Sequence, residues 1–327
     1  MRLARFGLGV AAIAGIGGFA YQALATAIDA RRYPPLGRLV DVGGHRLHVH
    51  SLGEGTPTVV MDAGLSGCCL DWCLVQREVA KFTRACVYDH AGSGWSDPYL
   101  RRRTSLELAH ELRTLLVKAE VDGPYVMVGH SFGGYTVRLY TSSFPAEVSG
   151  LVLVDAAHED QRARMPRGTA WARALGKLQW WRFHLKPLLA RLGWMRLTRQ
   201  PNGGTDGLPA NLHPMATAVG LRSSAYDWVF TDAGAMGRSE AQVRGIGPLS
   251  DIPLVAVAAH IRHVTQGVPA DLADAVWMEL QRELATLSPR GKLVVAEESG
   301  HFIQLDQPEP VIEAIREVVV PARESAT

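Results

Sequence analysis

The sequence predicts an α/β protein built on a mostly parallel sheet with helices on both faces. Three observations carry that prediction. From Leu39 onward, apolar segments of strand length alternate with amphipathic helical patterns, the alternation that a parallel sheet with crossover helices produces. The apolar run Tyr125-Val126-Met127-Val128 leads directly into Gly129-His130-Ser131-Phe132-Gly133-Gly134 and then into a helical stretch from Tyr135 to Phe144, stopped by Pro145. With 327 residues, the chain has room for one large domain carrying an insertion.

Strands are predicted near Leu39-Val42, Arg46-Leu52, Thr58-Asp62, Ala85-Asp89, Tyr125-Gly129, Gly150-Asp155, Pro253-Ala259 and Lys292-Glu297. The first two form an antiparallel hairpin around Gly43-Gly44. Thr104 or Ser105 can cap a helix whose Leu108, Leu112, Leu115 and Leu116 make one apolar stripe. Between the sixth and seventh strands, residues 156–248 interrupt the alternation with helical patterns, at the position and of the size of a lid. The division expected is therefore 1–37 as a hydrophobic anchor and linker, 38–155 with 249–327 as the core, and 156–248 as a helical lid.

The amino terminus reads differently from the rest. Phe6 to Ile28 is a 23-residue stretch with Gln22 as its one strongly polar side chain, flanked by Arg2 and Arg5 before it and Arg31 and Arg32 after it. About 20 helical residues cross a hydrocarbon core, so a retained single-pass signal anchor is the leading expectation. Ala23-Leu24-Ala25 and Ala25-Thr26-Ala27 resemble cleavage sites, which makes export after signal-peptide removal the alternative. Within the insertion, residues 161–200 hold ten Arg or Lys and no acid, with Trp171, Trp180, Trp181 and Trp194 interleaved. That composition suits a lid with inward tryptophans and solvated arginines, or one facing a membrane.

Bulk charge excludes little else. A net charge of +2 makes no case for nucleic acid, and the chain has no P-loop and no zinc-ligand spacing. Four cysteines, with Cys68 and Cys69 adjacent, make no disulfide framework, and the pair reads as small apolar packing. No metal or organic cofactor is implied.

The chemistry lies in the glycine-rich run. Gly129-His130-Ser131-Phe132-Gly133 fits G-x-S-x-G, a nucleophile elbow whose serine sits on a tight strand-to-helix turn. A serine hydroxyl needs a histidine to take its proton. Of twelve histidines, His301 in Ser299-Gly300-His301-Phe302 follows the last strand and is delivered to the carboxyl edge where Ser131 also sits. Asp306, not His301, is the better placed cap for the helix starting near Pro308. An oxyanion formed on attack needs preorganised donors. The Phe132 amide is one, and the Leu65 amide in Asp62-Ala63-Gly64-Leu65-Ser66-Gly67 is the second, with Gly64 allowing close approach.

With these motifs in order, the chain resembles the α/β-hydrolase fold superfamily over roughly residues 38–321. Tyr88-Asp89-His90-Ala91-Gly92-Ser93-Gly94-Trp95-Ser96-Asp97 is similar to that family's D-x-x-G-x-G-x-S turn after the fourth strand. The resemblance implies a serine, acid, histidine triad in that chain order and a lid after strand six. A serine at the elbow separates the chain from dehalogenases and epoxide hydrolases that use aspartate there. Two departures stand out. The family's usual His-Gly after strand three is Ala63-Gly64 here, without the histidine that commonly orders this loop. The triad acid usually follows strand seven, but His260-Ile261-Arg262-His263-Val264-Thr265-Gln266-Gly267 contains no carboxylate. Asp271 and Asp274 lie far downstream and Asp251 precedes the strand, so Asp155, at the end of strand six, is the expected acid. It would hold the His301 tautomer and stabilise the imidazolium.

The expectation is a serine hydrolase of carboxylesterase or lipase type, cleaving small or apolar esters through an acyl-enzyme. Ser131, His301 and Asp155 are the candidate catalytic residues, and Gly64, His130 and His158 the candidate lining of the substrate mouth. For His158 the alternative is packing at the root of the insertion. Related serine chemistry in acyltransferases, thioesterases, carbon-carbon bond hydrolases and cofactor-free haloperoxidases uses the same fold, as does a binding protein that has lost catalysis. Sequence is silent on oligomeric state.

Overall fold

The structure, a computed structural model, describes residues 2–166, 168–169, 184–249, 251–260 and 269–324, with side chains from residue 15 onward. Eight strands form one sheet: β1 (Arg38–Asp41), β2 (Arg46–Leu52), β3 (Thr58–Asp62), β4 (Ala85–Tyr88), β5 (Tyr125–His130), β6 (Val148–Val154), β7 (Leu254–Ala259) and β8 (Gly291–Ala296). Their spatial order is β1-β2-β4-β3-β5-β6-β7-β8. β1 and β2 pair antiparallel, β2 is antiparallel to β4, and all remaining pairings are parallel. The mostly parallel sheet and each predicted strand are present, with ends shifted by one or two residues.

The two faces of the sheet have separate cores. Val60 and Met127 point into one, with Leu108, Leu112, Leu115 and Leu116 of a helix at Ser105–Lys118 and Tyr135, Val137 and Tyr140 of a helix at Gly133–Ser143. Val59, Met61, Val126 and Val128 point into the other, against Val75 and Val79 of Cys73–Val79 and Val311, Ile315 and Val318 of Pro308–Glu324. Alternation along each strand, apolar on both sides, is what a doubly covered sheet demands. Thr104 caps its helix, accepting from the Glu107 amide while the Glu107 carboxylate accepts from the Thr104 amide, a complete capping box.

Sheet order reverses between the neighbouring strands β3 and β5: from β3 the chain runs to β4 on one side, and from β5 to β6 on the other. Such a switch point opens a crevice at the carboxyl ends of the strands. Ser131 follows β5 there, Asp155 follows β6, and the loop after β3 faces them.

The amino-terminal expectation needs correction. Arg2–Arg32 is one helix, α1, but among the described residues no helix is long and apolar enough to cross a membrane. The first part of the predicted span, before Gly15, lies outside the described side chains. In the rest, polar groups of α1 are spent on the insertion. Buried Gln22 donates to the Leu221 carbonyl at 2.7 Å and accepts from Arg196 Nε at 3.1 Å, while the same guanidinium pairs with Asp29. Gly18 and Gly193 allow the backbones to meet, since a Cβ on Gly18 would lie 2.4 Å from the Leu192 carbonyl oxygen. A hydrocarbon setting offers no return for such pairing, whereas a protein neighbour does. Several arginines of the insertion are likewise paired rather than free: Arg162 with Glu240, Arg164 with Glu279 and Glu283, Arg191 with Asp227. Trp194 is about half exposed, and Trp171, Trp180 and Trp181 lie outside the described residues.

Candidate active site

Ser131 occupies a left-handed backbone conformation, φ 50°, between β5 and the helix at Gly133–Ser143. The turn is held by its own main chain: the Ser131 amide donates to Val154 O at 3.1 Å, and the Ser131 carbonyl accepts from Gly134 and Ala157. The flanking glycines are required by contact. A Cβ on Gly129 would lie 2.5 Å from Val137 Cγ2, and one on Gly133 would lie 2.8 Å from the Asp62 carbonyl oxygen. Helix and strand therefore close tightly enough to expose the serine at the sheet edge.

Three side chains from three loops meet at this edge. Ser131 Oγ donates to His301 Nε2 at 3.0 Å, and His301 Nδ1 donates to Asp155 Oδ2 at 2.6 Å. Asp155 is wholly buried, also in a left-handed conformation at φ 38°. Its other oxygen, Oδ1, accepts from the Ala259 amide at 3.1 Å and from Trp277 Nε1 at 2.8 Å. Strand seven thus supplies a backbone donor that steadies the carboxylate after β6. Trp277 comes from the helix at Ala270–Ala285, and no local signal in the sequence connects it to Asp155. The carboxylate-free stretch 261–267 lies outside the described residues. His301 is aimed by its loop: the Gly300 amide donates to Asp306 Oδ2, so Asp306 braces this loop.

The loop after β3 reaches over Ser131. A Cβ on Gly64 would lie 2.9 Å from both Ser131 Cβ and His130 Nδ1. The Gly64 carbonyl closes a turn with the Gly67 amide, Ser66 takes φ 72°, and Ser93 Oγ donates to Gly67 O at 2.6 Å. Among the described residues neither the Leu65 nor the Phe132 amide has a hydrogen-bond partner. Gly64→Ala is expected to push this loop off Ser131 and lower kcat by about 10²- to 10³-fold, the effect of losing one oxyanion donor, which steady-state kinetics on any cleaved ester would read.

Beside His301 lies a cavity of about 510 Å³ bordered by Leu65, Asp71, Gly203, Asp206, Phe302 and Asp306. Burial pushes the Asp71 carboxyl up to about 7, and no Lys or Arg is among the described lining residues. None of the three pocket candidates borders this cavity: Gly64 sits behind Leu65 against Ser131 and His130. His130 is buried behind the loop, donating from Nε2 to the His301 carbonyl at 2.8 Å, so it supports the loop that carries His301 and does not border the cavity. His158 accepts the Asp160 amide at Nδ1 and lies 3.3 Å from Glu283 at Nε2, packing at the root of the insertion.

Burial, aided by the nearby His301, pushes the His130 pKa down to about 3. The neutral ring is favoured on folding, so its contribution is complete above the unfolded value of roughly 6.5 and is lost as pH falls from there toward 3. Thermal melts of the wild type should fall more steeply over that window than those of His130→Gln, which keeps the amide donor without the titration.

A buried group of His48, Cys69 and Asp89 has metal-ligand composition. Its donors are already engaged: His48 Nε2 accepts from Gly37 N, His48 Nδ1 donates to Asp89, and both Asp89 oxygens accept backbone amides from Cys69 and Trp95. Burial also holds the Cys69 thiol protonated. The group fits a hydrogen-bonded brace for the Asp89–Asp97 turn, not a metal.

The fold is that of the α/β hydrolases. A family model described as the alpha/beta hydrolase fold matches residues 57–191. A thermophilic esterase from Thermogutta terrifontis superposes with a TM-score of 0.60 at 20% identity, covering 86% of this chain and 96% of its own. The epoxide hydrolase CorEH superposes with a TM-score of 0.61 at 18% identity, covering 87% and 98%. Among curated sequences, a probable transporter, efuK, from Hormonema carpetanum is 27% identical over 308 residues, 86% of this chain but 42% of its own length. The chain spans 14% to 44% of the length of three curated relatives it matches.

Proposed function

We propose that this α/β-hydrolase domain is a serine esterase acting through an acyl-enzyme. The observation that carries the reading is the unbroken chain from Ser131 Oγ to His301 to Asp155, at 3.0 and 2.6 Å. In the first half-reaction, Oγ bonds to the ester carbonyl carbon as its proton passes to His301 Nε2, and Asp155 stabilises the imidazolium. The Leu65 and Phe132 amides bind the oxyanion. Collapse breaks the carbon–oxygen bond, and His301 returns the proton to the departing alcohol. Water then repeats the sequence and frees the acid.

Residues 156–248 serve as the lid, since Gly203 and Asp206 of this segment border the cavity at His301. A volume of about 510 Å³ suits small esters, and walls holding Asp206 and Asp306 with no Lys or Arg among the described lining residues disfavour substrates bearing a carboxylate or phosphate.

A fluorophosphonate probe tests the reading. Adduct formation is expected at Ser131 in the wild type and nowhere in Ser131→Ala, by intact-mass and peptide mass spectrometry. A folded wild type that stays unlabelled would leave the fold without this chemistry.

A further inference from the structure

The loop that carries the Leu65 amide starts at Asp62, and Asp62 is tied to a residue far from it in sequence. His90 Nε2 donates to Asp62 Oδ1 at 2.6 Å, with both side chains nearly inaccessible to solvent. His90 lies in the turn after β4. Its ring stacks on Trp228, 5.6 Å between centroids and 5° from parallel, and Trp228 belongs to the helix at Ser223–Ala233 inside the insertion. Burial alone would lower the His90 pKa, but Asp62 and, less strongly, Asp232 outweigh it and raise it, so the ring is held as a donor toward Asp62.

The Asp62 main chain is equally constrained. Its carbonyl packs against Gly133 of the elbow so closely that a Cβ there would approach to 2.8 Å. Asp62 is therefore fixed at two points, by the elbow through its backbone and by His90 through its carboxylate. Only Ala63 and Gly64 separate it from Leu65. With alanine at 63, that residue offers no side-chain hydrogen bond to order the loop.

Resting on the esterase reading above, we propose that the Asp62–His90 pair is a positioning pair for the oxyanion loop: it aims the Leu65 amide at the transition state and links that loop to the insertion through Trp228. The pair touches no reacting atom. Its contribution is orientation, which matters because donors help only when they already point where charge will develop.

Two replacements at one position separate this role from packing. His90→Gln keeps a side-chain donor toward Asp62 but loses the ring. His90→Phe keeps the ring on Trp228 but loses the donor. The full-length chain is used, with an ester that the wild type turns over and a boronic acid that forms a tetrahedral adduct on Ser131. His90→Phe is expected to lower kcat about 10²-fold at nearly unchanged KM and to weaken boronic acid binding by a similar factor. His90→Gln is expected to stay within about tenfold of wild type in both. Fluorophosphonate labelling should persist in both variants, which separates a misplaced donor from a missing nucleophile. If the wild type is not labelled, the esterase reading fails first and on its own. If the wild type is labelled but His90→Phe keeps its kcat within about threefold, or the two variants fall equally, the pair has no positioning role. Should His90→Phe not fold, Asp62→Ala removes the acceptor from the other side and decides in the same two assays: a matched loss in kcat and boronic acid affinity supports the proposal, and wild-type values overturn it.

Discussion

Ser131→Ala is expected to reduce ester turnover by about 10⁶-fold, to the residue of catalysis that binding and oxyanion donors provide without a nucleophile. Stability should barely move. The hydroxyl donates one hydrogen bond, to His301, and the backbone bonds that hold the turn come from the amide and carbonyl of residue 131. Alanine meets the same cost as serine at φ 50°. A melt matching the wild type together with lost turnover would place the effect on chemistry, and turnover above about a hundredth of wild type would remove Ser131 from the reaction.

Asp155→Asn is expected to cost about 10⁴-fold in kcat, for a reason the geometry makes specific. Oδ1 accepts from Ala259 N and Trp277 Nε1, so the retained carbonyl oxygen of asparagine stays with those two donors. The new amide nitrogen then faces His301 Nδ1. A donor there turns Nδ1 into the acceptor and puts the ring proton on Nε2, where it can no longer take the proton of Ser131. Asp271→Asn and Asp274→Asn are the controls. Both lie on the helix at Ala270–Ala285, and Asp274 borders a separate surface cavity with His260. Kinetics of the three variants on one ester decide the acid: a large loss at Asp271 or Asp274, with Asp155→Asn near wild type, would transfer the role.

Local pattern was a good guide wherever the physics is local. The capping box at Thr104 and the contact of Gly129 with Val137 depend on neighbours close in sequence. Gly64 and Gly133 were legible through the motifs that contain them, although the groups that require them, Ser131 and the Asp62 carbonyl, lie far away in the chain. Patterning failed where the deciding partner is distant. His130 lies beside the serine in sequence, but its side chain leaves the turn on the buried side and meets the His301 carbonyl. His158 has polar neighbours from the insertion root and from Glu283, so it does not reach the cavity. Hydropathy made the amino-terminal helix read as a membrane span, because a window average cannot register that Gln22 and Asp29 share one face and find Leu221 and Arg196 on it.

By itself, the sequence determined the order of strands along the chain, the elbow serine, the histidine after the last strand and the loop that faces them. These are encoded in turns and periodicities that operate over a few residues. The sequence also named Asp155 as the expected partner of His301. Only the tertiary structure decided what stands behind these groups: Trp277 and Ala259 on Asp155, and His90 against Asp62. The physical reason is that a buried carboxylate is stable only where several donors converge on it, and those donors come from elements up to 146 positions apart that the sheet alone brings to one edge.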